Sequence, residues 1–205
     1  LGCISLQIGN NLSAFQDRIH FTPTPLEIAQ VSLEHITRVK RAVVSFGQGC
    51  EGEPLTATKA IAPAIEMIRE RTDQGTINLN TNGSLPDSVK ILCNAGLDAM
   101  RVSMNSVRKI CYQTYFRPKT YEFSDVLKSI DIAKDEGKFV SINYLNCPGI
   151  TDSQKEVDTL VQFIHTHGVD MIQWRNLNFD PKHYTRLMTA AEDGGSPVGM
   201  AMLIK

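Results

Sequence analysis

The sequence predicts an α/β fold, a partial (β/α) TIM-like barrel with five parallel strands inside and helices outside. Three observations predict it. From residue 24 onward, amphipathic helices alternate with short runs rich in Val, Ile, Phe, Met or Trp. Each of those runs turns polar at its C-terminal end, the rim on which α/β barrels carry their sites. One face of the strands is polar well before that end, as in Asn78/Asn80/Asn82, Arg101/Ser103/Asn105, Ser141/Asn143 and Gln173/Arg175. Such rows suit an open, wider barrel that holds a polar ligand, because closed barrels usually fill their interior with branched aliphatic side chains.

The first helix starts at Thr24-Pro25-Leu26-Glu27, which joins a capping Thr, a Pro at the first helical position and a Glu three residues after the cap. Leu26, Ala29, Leu33 and Ile36 follow at helical spacing. A strand over 41–47 leads to a second helix near 58–72, with Ile61, Ile65 and Ile68 on one face and Pro63 a candidate for its true start. The strand over 76–82 precedes a helix over 85–95 (Leu85, Val89, Leu92), and the strand over 98–105 precedes one over 122–136 (Phe123, Val126, Leu127, Ile130). The strand over 139–145 is followed by a helix over 152–167 (Val157, Leu160, Val161, Ile164) and then by the strand over 169–176. Gly96, Gly137 and Gly168 stand where left-handed helix caps belong. Residues 185–205 read as loop and a terminal helix, with Asp193-Gly194-Gly195-Ser196-Pro197 in the loop. The alternative is a doubly wound sheet with polar strand ends.

Length and composition bound the rest. A chain of 205 residues can bury one sizeable core, and 1–205 reads as a single domain. A formal net charge of −1 with acids and bases interspersed argues against a nucleic-acid partner, and no cationic amphipathic helix suggests a membrane surface. The expected partner is a small molecule or a protein. Apolar runs are short, and residues 1–20 hold no signal-peptide core, so a cytoplasmic protein is expected. Cys3, Cys50, Cys93, Cys111 and Cys147 are odd in number and widely spaced, so they read as thiols or ligands rather than a disulfide framework. The opening at Leu1 and the apolar stretch 198–204 both suggest a chain cut from something longer.

After the first strand comes Gly47-Gln48-Gly49-Cys50-Glu51-Gly52-Glu53-Pro54-Leu55, a glycine-spaced loop that delivers a carboxylate to the rim. Gly49 to Leu55 is similar to the glycine-glutamate segment by which radical S-adenosylmethionine enzymes hold the methionyl amino group. Thr81-Asn82-Gly83 matches the end of the next strand in that family. Arg101-Val102-Ser103-Met104-Asn105-Ser106 resembles its ribose-contacting strand end, Tyr115-Phe116-Arg117-Pro118 the segment that follows, and Asn143 through Pro148-Gly149 the fifth strand and its turn. The matches run in family order from about residue 3 to residue 176.

The resemblance implies a barrel of six strands, five of them visible here, and two cofactors, S-adenosylmethionine and a [4Fe–4S] cluster. It implies reductive cleavage of the former at the latter, yielding a 5′-deoxyadenosyl radical that takes hydrogen from an unknown substrate, small molecule or peptide. The electron would come from a donor such as a flavodoxin or ferredoxin. The family's C-x3-C-x2-C loop follows its first strand, and Cys3 sits where its last cysteine belongs; the other two would lie before Leu1, so this stretch is expected to be inactive by itself. By resemblance, Gly52 and Glu53 would meet the amino group, Ser103 and Asn105 the ribose or carboxylate, and Asn143 the adenosyl portion, with Thr81 and Asn82 as neighbours. Arg117 and Arg175 are candidates for the carboxylate, because guanidinium makes paired hydrogen bonds to it. Catalytic groups are not assigned. Gln173-Trp174-Arg175-Asn176 lie on the substrate side, with Trp174 equally suited to packing under a helix.

Two rivals stay open. A cluster-free barrel lyase or aldolase working through a Schiff base needs a lysine inside a strand near the rim, and Lys40 and Lys138 stand at strand beginnings instead. A carboxylate mechanism survives that test. A non-catalytic barrel that binds a small molecule or protein is the second.

Overall fold

The computed structural model describes residues 21–47, 52–176 and 180–204. Helix α1 spans Pro25–Arg38, and its start is the expected reciprocal cap: the Glu27 amide donates to Thr24 Oγ1 at 3.3 Å while the Thr24 amide donates to Glu27 Oε2 at 2.8 Å. Then follow β1 (Val43–Phe46), a 3-10 turn (Pro54–Ala57), α2 (Thr58–Arg69), β2 (Thr76–Thr81), α3 (Pro86–Ala95) and β3 (Ala99–Met104). The second half holds α4 (Lys109–Phe116), α5 (Phe123–Asp135), β4 (Phe139–Asn146), α6 (Gln154–His167), β5 (Met171–Asn176), α7 (Pro181–Ala191) and the short α8 (Met200–Leu203).

All five strands are parallel, and their order across the sheet, β1-β2-β3-β4-β5, is their order in the chain. A doubly wound sheet reverses direction at a switch point. With no reversal, every connection winds the same way, and the sheet is a segment of a barrel wall. That removes the alternative topology.

The core lies between the convex face of this wall and the helices. Ile77, Leu79, Met100, Val102, Ile142 and Tyr144 have almost no exposure, and they cluster with Ile65, Ile68, Leu92, Val126, Ile130 and Leu160 from the helices. Arg69 ties the lower end together: its guanidinium donates to the carbonyls of Gly96, Gln74 and Gly75 at 3.1–3.3 Å and pairs with Asp98.

Several expectations need correction. Pro63 lies inside α2, which begins at Thr58 directly after the 3-10 turn. The buried stripe of α6 is Glu156, Leu160 and Phe163, whereas Val161, expected inside, is half exposed. That rotation puts a carboxylate in the core. Helix α4 went unforeseen because it is only eight residues long, although its buried Cys111, Tyr112, Tyr115 and Phe116 do share one face at helical spacing. Helix α7 starts at Pro181, before the segment read as loop, with Asp180 accepting from the Lys182 amide at 3.0 Å. Its Tyr184 and Met188 are fully buried, and Tyr184 packs edge-on against Tyr115 of α4 with ring centres 5.4 Å apart.

Among the described residues no helix is long and apolar enough to cross a membrane.

Candidate active site

The concave face of the wall is built by strand alternation. Residues that point away from the helices are Ser45 on β1, Asn78 and Asn80 on β2, Arg101 and Ser103 on β3, Ser141 and Asn143 on β4, and Gln173 and Arg175 on β5. Register stacks them into rows: Ser103 faces Asn143, which faces Gln173, and one step lower Asn80, Arg101 and Ser141 align. The β1–β2 side of the face is laced together, since the Asn78 and Asn80 amides donate to Ser45 Oγ at 2.8 and 3.0 Å. Sequence reading placed these polar rows but did not single out Ser45, Asn78 or Arg101.

Above the rows, Glu53 clamps the loop after β1 to the end of β2. Its Oε1 accepts from the Leu55 amide at 3.2 Å and from the Thr81 hydroxyl, and its Oε2 accepts from the Asn82 amide at 2.8 Å. Burial pushes the Glu53 carboxyl up, and the bonds from Thr81, Asn82 and Leu55 pull part of the way back. Thr81 Oγ1 also accepts from the Gly83 amide at 3.0 Å, and Asn82 Oδ1 accepts from the Ser84 amide at 2.9 Å, so the strand end turns sharply over the helix below. Gly52, with φ of +110°, takes a left-handed backbone that a side chain would strain.

Glu53, Thr81 and Asn82 therefore form one hydrogen-bonded cluster, and Ser103 and Asn143 share a row on the same concave face. The other candidates lie apart from that cluster. Asn105 is buried beneath α7, its amide nitrogen within reach of the Cys111 carbonyl at 3.2 Å and the Tyr184 hydroxyl at 3.3 Å, while its Oδ1 is buried with no partner among the described residues. Arg117 ends α4 in left-handed backbone, φ +46°, and is exposed. Arg175 is exposed on β5, opposite Leu145. Trp174 points toward the helices and meets Tyr144 edge-on at 5.8 Å.

A second buried cluster braces the loop after β3. Glu156 of α6 accepts from Ser106 Oγ at 2.8 Å, Arg108 Nε at 2.7 Å, the Val107 amide at 3.3 Å and the Tyr144 hydroxyl. Arg108 also reaches Glu192 at 3.2 Å. Sequence reading missed this cluster; its signal was a glutamate four residues before Leu160, on the face that packs inward.

Cys3 and Cys50 lie outside the described residues. Cys93, Cys111 and Cys147 are buried free thiols, and burial pushes each upward, Cys93 to about 11. Among the described residues, no group of three His, Cys, Asp or Glu side chains is placed to hold a metal ion.

A family model described as the radical SAM superfamily matches residues 13–163. No curated protein matches. Solved structures with a similar fold include methylornithine synthase PylB (TM-score 0.58, 12% identity, 81% of this chain and 47% of that one). SuiB from Streptococcus suis, bound to S-adenosylmethionine, gives a TM-score of 0.58 at 15% identity over 85% of this chain and 41% of its own. Coproporphyrinogen III oxidase HemN from Escherichia coli gives 0.53 at 14% identity over 86% and 43%. The chain thus spans less than half the length of these three proteins.

Proposed function

The chain belongs to the radical SAM superfamily, and from that premise we propose that its concave face holds S-adenosylmethionine for radical chemistry on a small-molecule or peptide substrate. The observation that carries the reading is the Glu53 clamp, in which a partly buried carboxylate fixes one loop to one strand end above the polar rows. A carboxylate offers about four acceptor positions, and three are filled here, so one remains on Oε2 for an ammonium group.

The donor set fits the other groups of the ligand. Ser103 and Asn143 offer hydroxyl and amide partners to a ribose or carboxylate. Gly52 lets backbone approach closely, and Thr81 and Asn82 hold Glu53. Cys3 is assigned as one ligand of a [4Fe–4S] cluster from its place in the family order. When bound, that cluster supplies the single electron that cleaves the sulfonium to methionine and a 5′-deoxyadenosyl radical, an oxidoreductase chemistry fed by a donor such as a flavodoxin or ferredoxin. The reduced thiols suit the cytoplasm.

Calorimetric titration with S-adenosylhomocysteine, which keeps the amino, carboxylate and ribose groups, tests the site without cluster or turnover. The wild-type chain is expected to bind, and Glu53→Gln to bind about tenfold more weakly, the worth of one charge-assisted hydrogen bond. Equal affinity in the two proteins removes Glu53 from the site, and no binding by the wild type overturns the reading.

A further inference from the structure

Arg101 stands at the centre of the concave face, on the middle strand, flanked in register by Asn80 and Ser141. Its Nε is shielded from solvent and has no hydrogen-bond partner, and no carboxylate pairs with it among the described residues. The chain treats the other arginines that are partly or fully buried differently: Arg69 is satisfied by the carbonyls of Gly96, Gln74 and Gly75 and by Asp98, and Arg108 by Glu156 and Glu192. Leaving a charged donor dry and unpaired costs stability, and folding alone gives no reason to keep one there.

The surroundings say what would satisfy it. The row below Arg101 has the small Ala99 between Asn78 and Phe139, and that gap opens a hollow of about 250 Å³ lined also by Ser45 and Ser141. Arg101 is the one charged residue among the hollow's lining. Toward the lower end, Val43, Phe139 and Met171 are 54%, 48% and 41% exposed, an apolar collar below a single cation.

We infer that Arg101 is a substrate-binding residue that holds the oxyanion of a small substrate, a carboxylate or phosphate carried on an apolar stem. Guanidinium presents a fork of N–H donors that matches either oxyanion, the Ser141 hydroxyl adds a neutral donor, and the collar takes the stem. The assignment rests on the proposed reading of the concave face. Two residues of strand separate Arg101 from Ser103, so the oxyanion would lie about 7 Å below the row given to the nucleoside, which sets the substrate's carbons between the two.

The test reads the arginine directly. Nitrogen-15 spectra of the chain, with the Arg101 Nε–H signal identified by its absence in Arg101→Lys, are followed during titration with hexanoate, butyl phosphate and 1-hexanol. Hexanoate or butyl phosphate is expected to shift that signal saturably and 1-hexanol to leave it in place; whichever anion binds tighter names the substrate's oxyanion. Arg101→Gln should weaken the preferred anion by about tenfold or more. An unshifted Nε–H signal with both anions, or a shift of equal size with 1-hexanol, overturns the assignment, and the wild-type signal decides this even if Arg101→Gln fails to fold. Failure of S-adenosylhomocysteine to bind, with hexanoate still shifting Arg101, sinks the nucleoside site and upholds the anion site; the reverse result sinks the anion site alone.

Discussion

Replacing Glu156 by Ala is expected to lower the unfolding free energy by about 3–5 kcal/mol, because removing one member of a buried ion pair strands the other. The side chains of Glu156 and Arg108 are 1% and 5% exposed. Without Glu156 the guanidinium keeps its contacts with Glu192 and the Asp193 carbonyl at the edge, and Ser106 Oγ and the Tyr144 hydroxyl lose their acceptor in a dry environment. Urea unfolding followed by circular dichroism measures the loss. Glu156→Gln, which keeps the volume and one acceptor, should cost less, and the joint replacement Arg108→Met with Glu156→Leu should recover much of the deficit, since well-packed apolar pairs often replace buried ion pairs without loss. The consequence reaches the site, because this cluster fixes residues 106–108 immediately after Asn105. A change below about 1 kcal/mol would mean that the pair is solvated and braces nothing.

Gly47→Ala should destabilise the chain by about 2–5 kcal/mol and detach the loop that carries Glu53. Two costs combine. Gly47 has φ of +76°, a left-handed backbone that costs other residues about 1–2 kcal/mol. An added Cβ would also collide with the Asn80 carbonyl oxygen and stand 2.9 Å from Pro54 Cγ, and overpacking of that kind costs about 1–3 kcal/mol. Neither neighbour yields easily: one is strand backbone, the other the first residue of the 3-10 turn. The chain's escape is to swing the loop away from β2, which breaks the bonds from Thr81 and Asn82 to Glu53. Thermal unfolding and S-adenosylhomocysteine titration of the same protein check both halves. Stability within about 0.5 kcal/mol of wild type would show that the loop does not pack on β2 in solution.

Both results turn on residues whose importance the chain shows unevenly. The glycine-glutamate loop was conspicuous because glycines and a carboxylate directly follow a strand, and a backbone need is written in the glycines themselves. Glu156 was hidden. One carboxylate within an otherwise amphipathic helix looks like solvent-facing charge until the helix rotation is known, and the apolar set Val157, Leu160, Val161 and Ile164 pointed to a face turned from the one that packs. Arg101 was visible as a member of a polar row but indistinguishable from any other inward arginine, because its lack of a partner is a property of its neighbours.

By itself the sequence determined the cap of the first helix, from the local Thr24-Pro25-Leu26-Glu27 pattern, and the alternation of five strands with helices, the convex core and the polar concave face, because these follow from periodicities of two or 3.6 residues read over a dozen positions. The tertiary structure alone decided the strand order, the covering of Asn105 by α7, and which polar atoms satisfy one another. Those pairings join residues far apart in the chain, Glu53 with Thr81 across 28 positions, Arg108 with Glu156 across 48 and Asn105 with Tyr184 across 79. Local pattern fixes which way a side chain points; only packing brings its partner to it, and the hydrogen bonds a group has already made decide what it has left to offer a ligand.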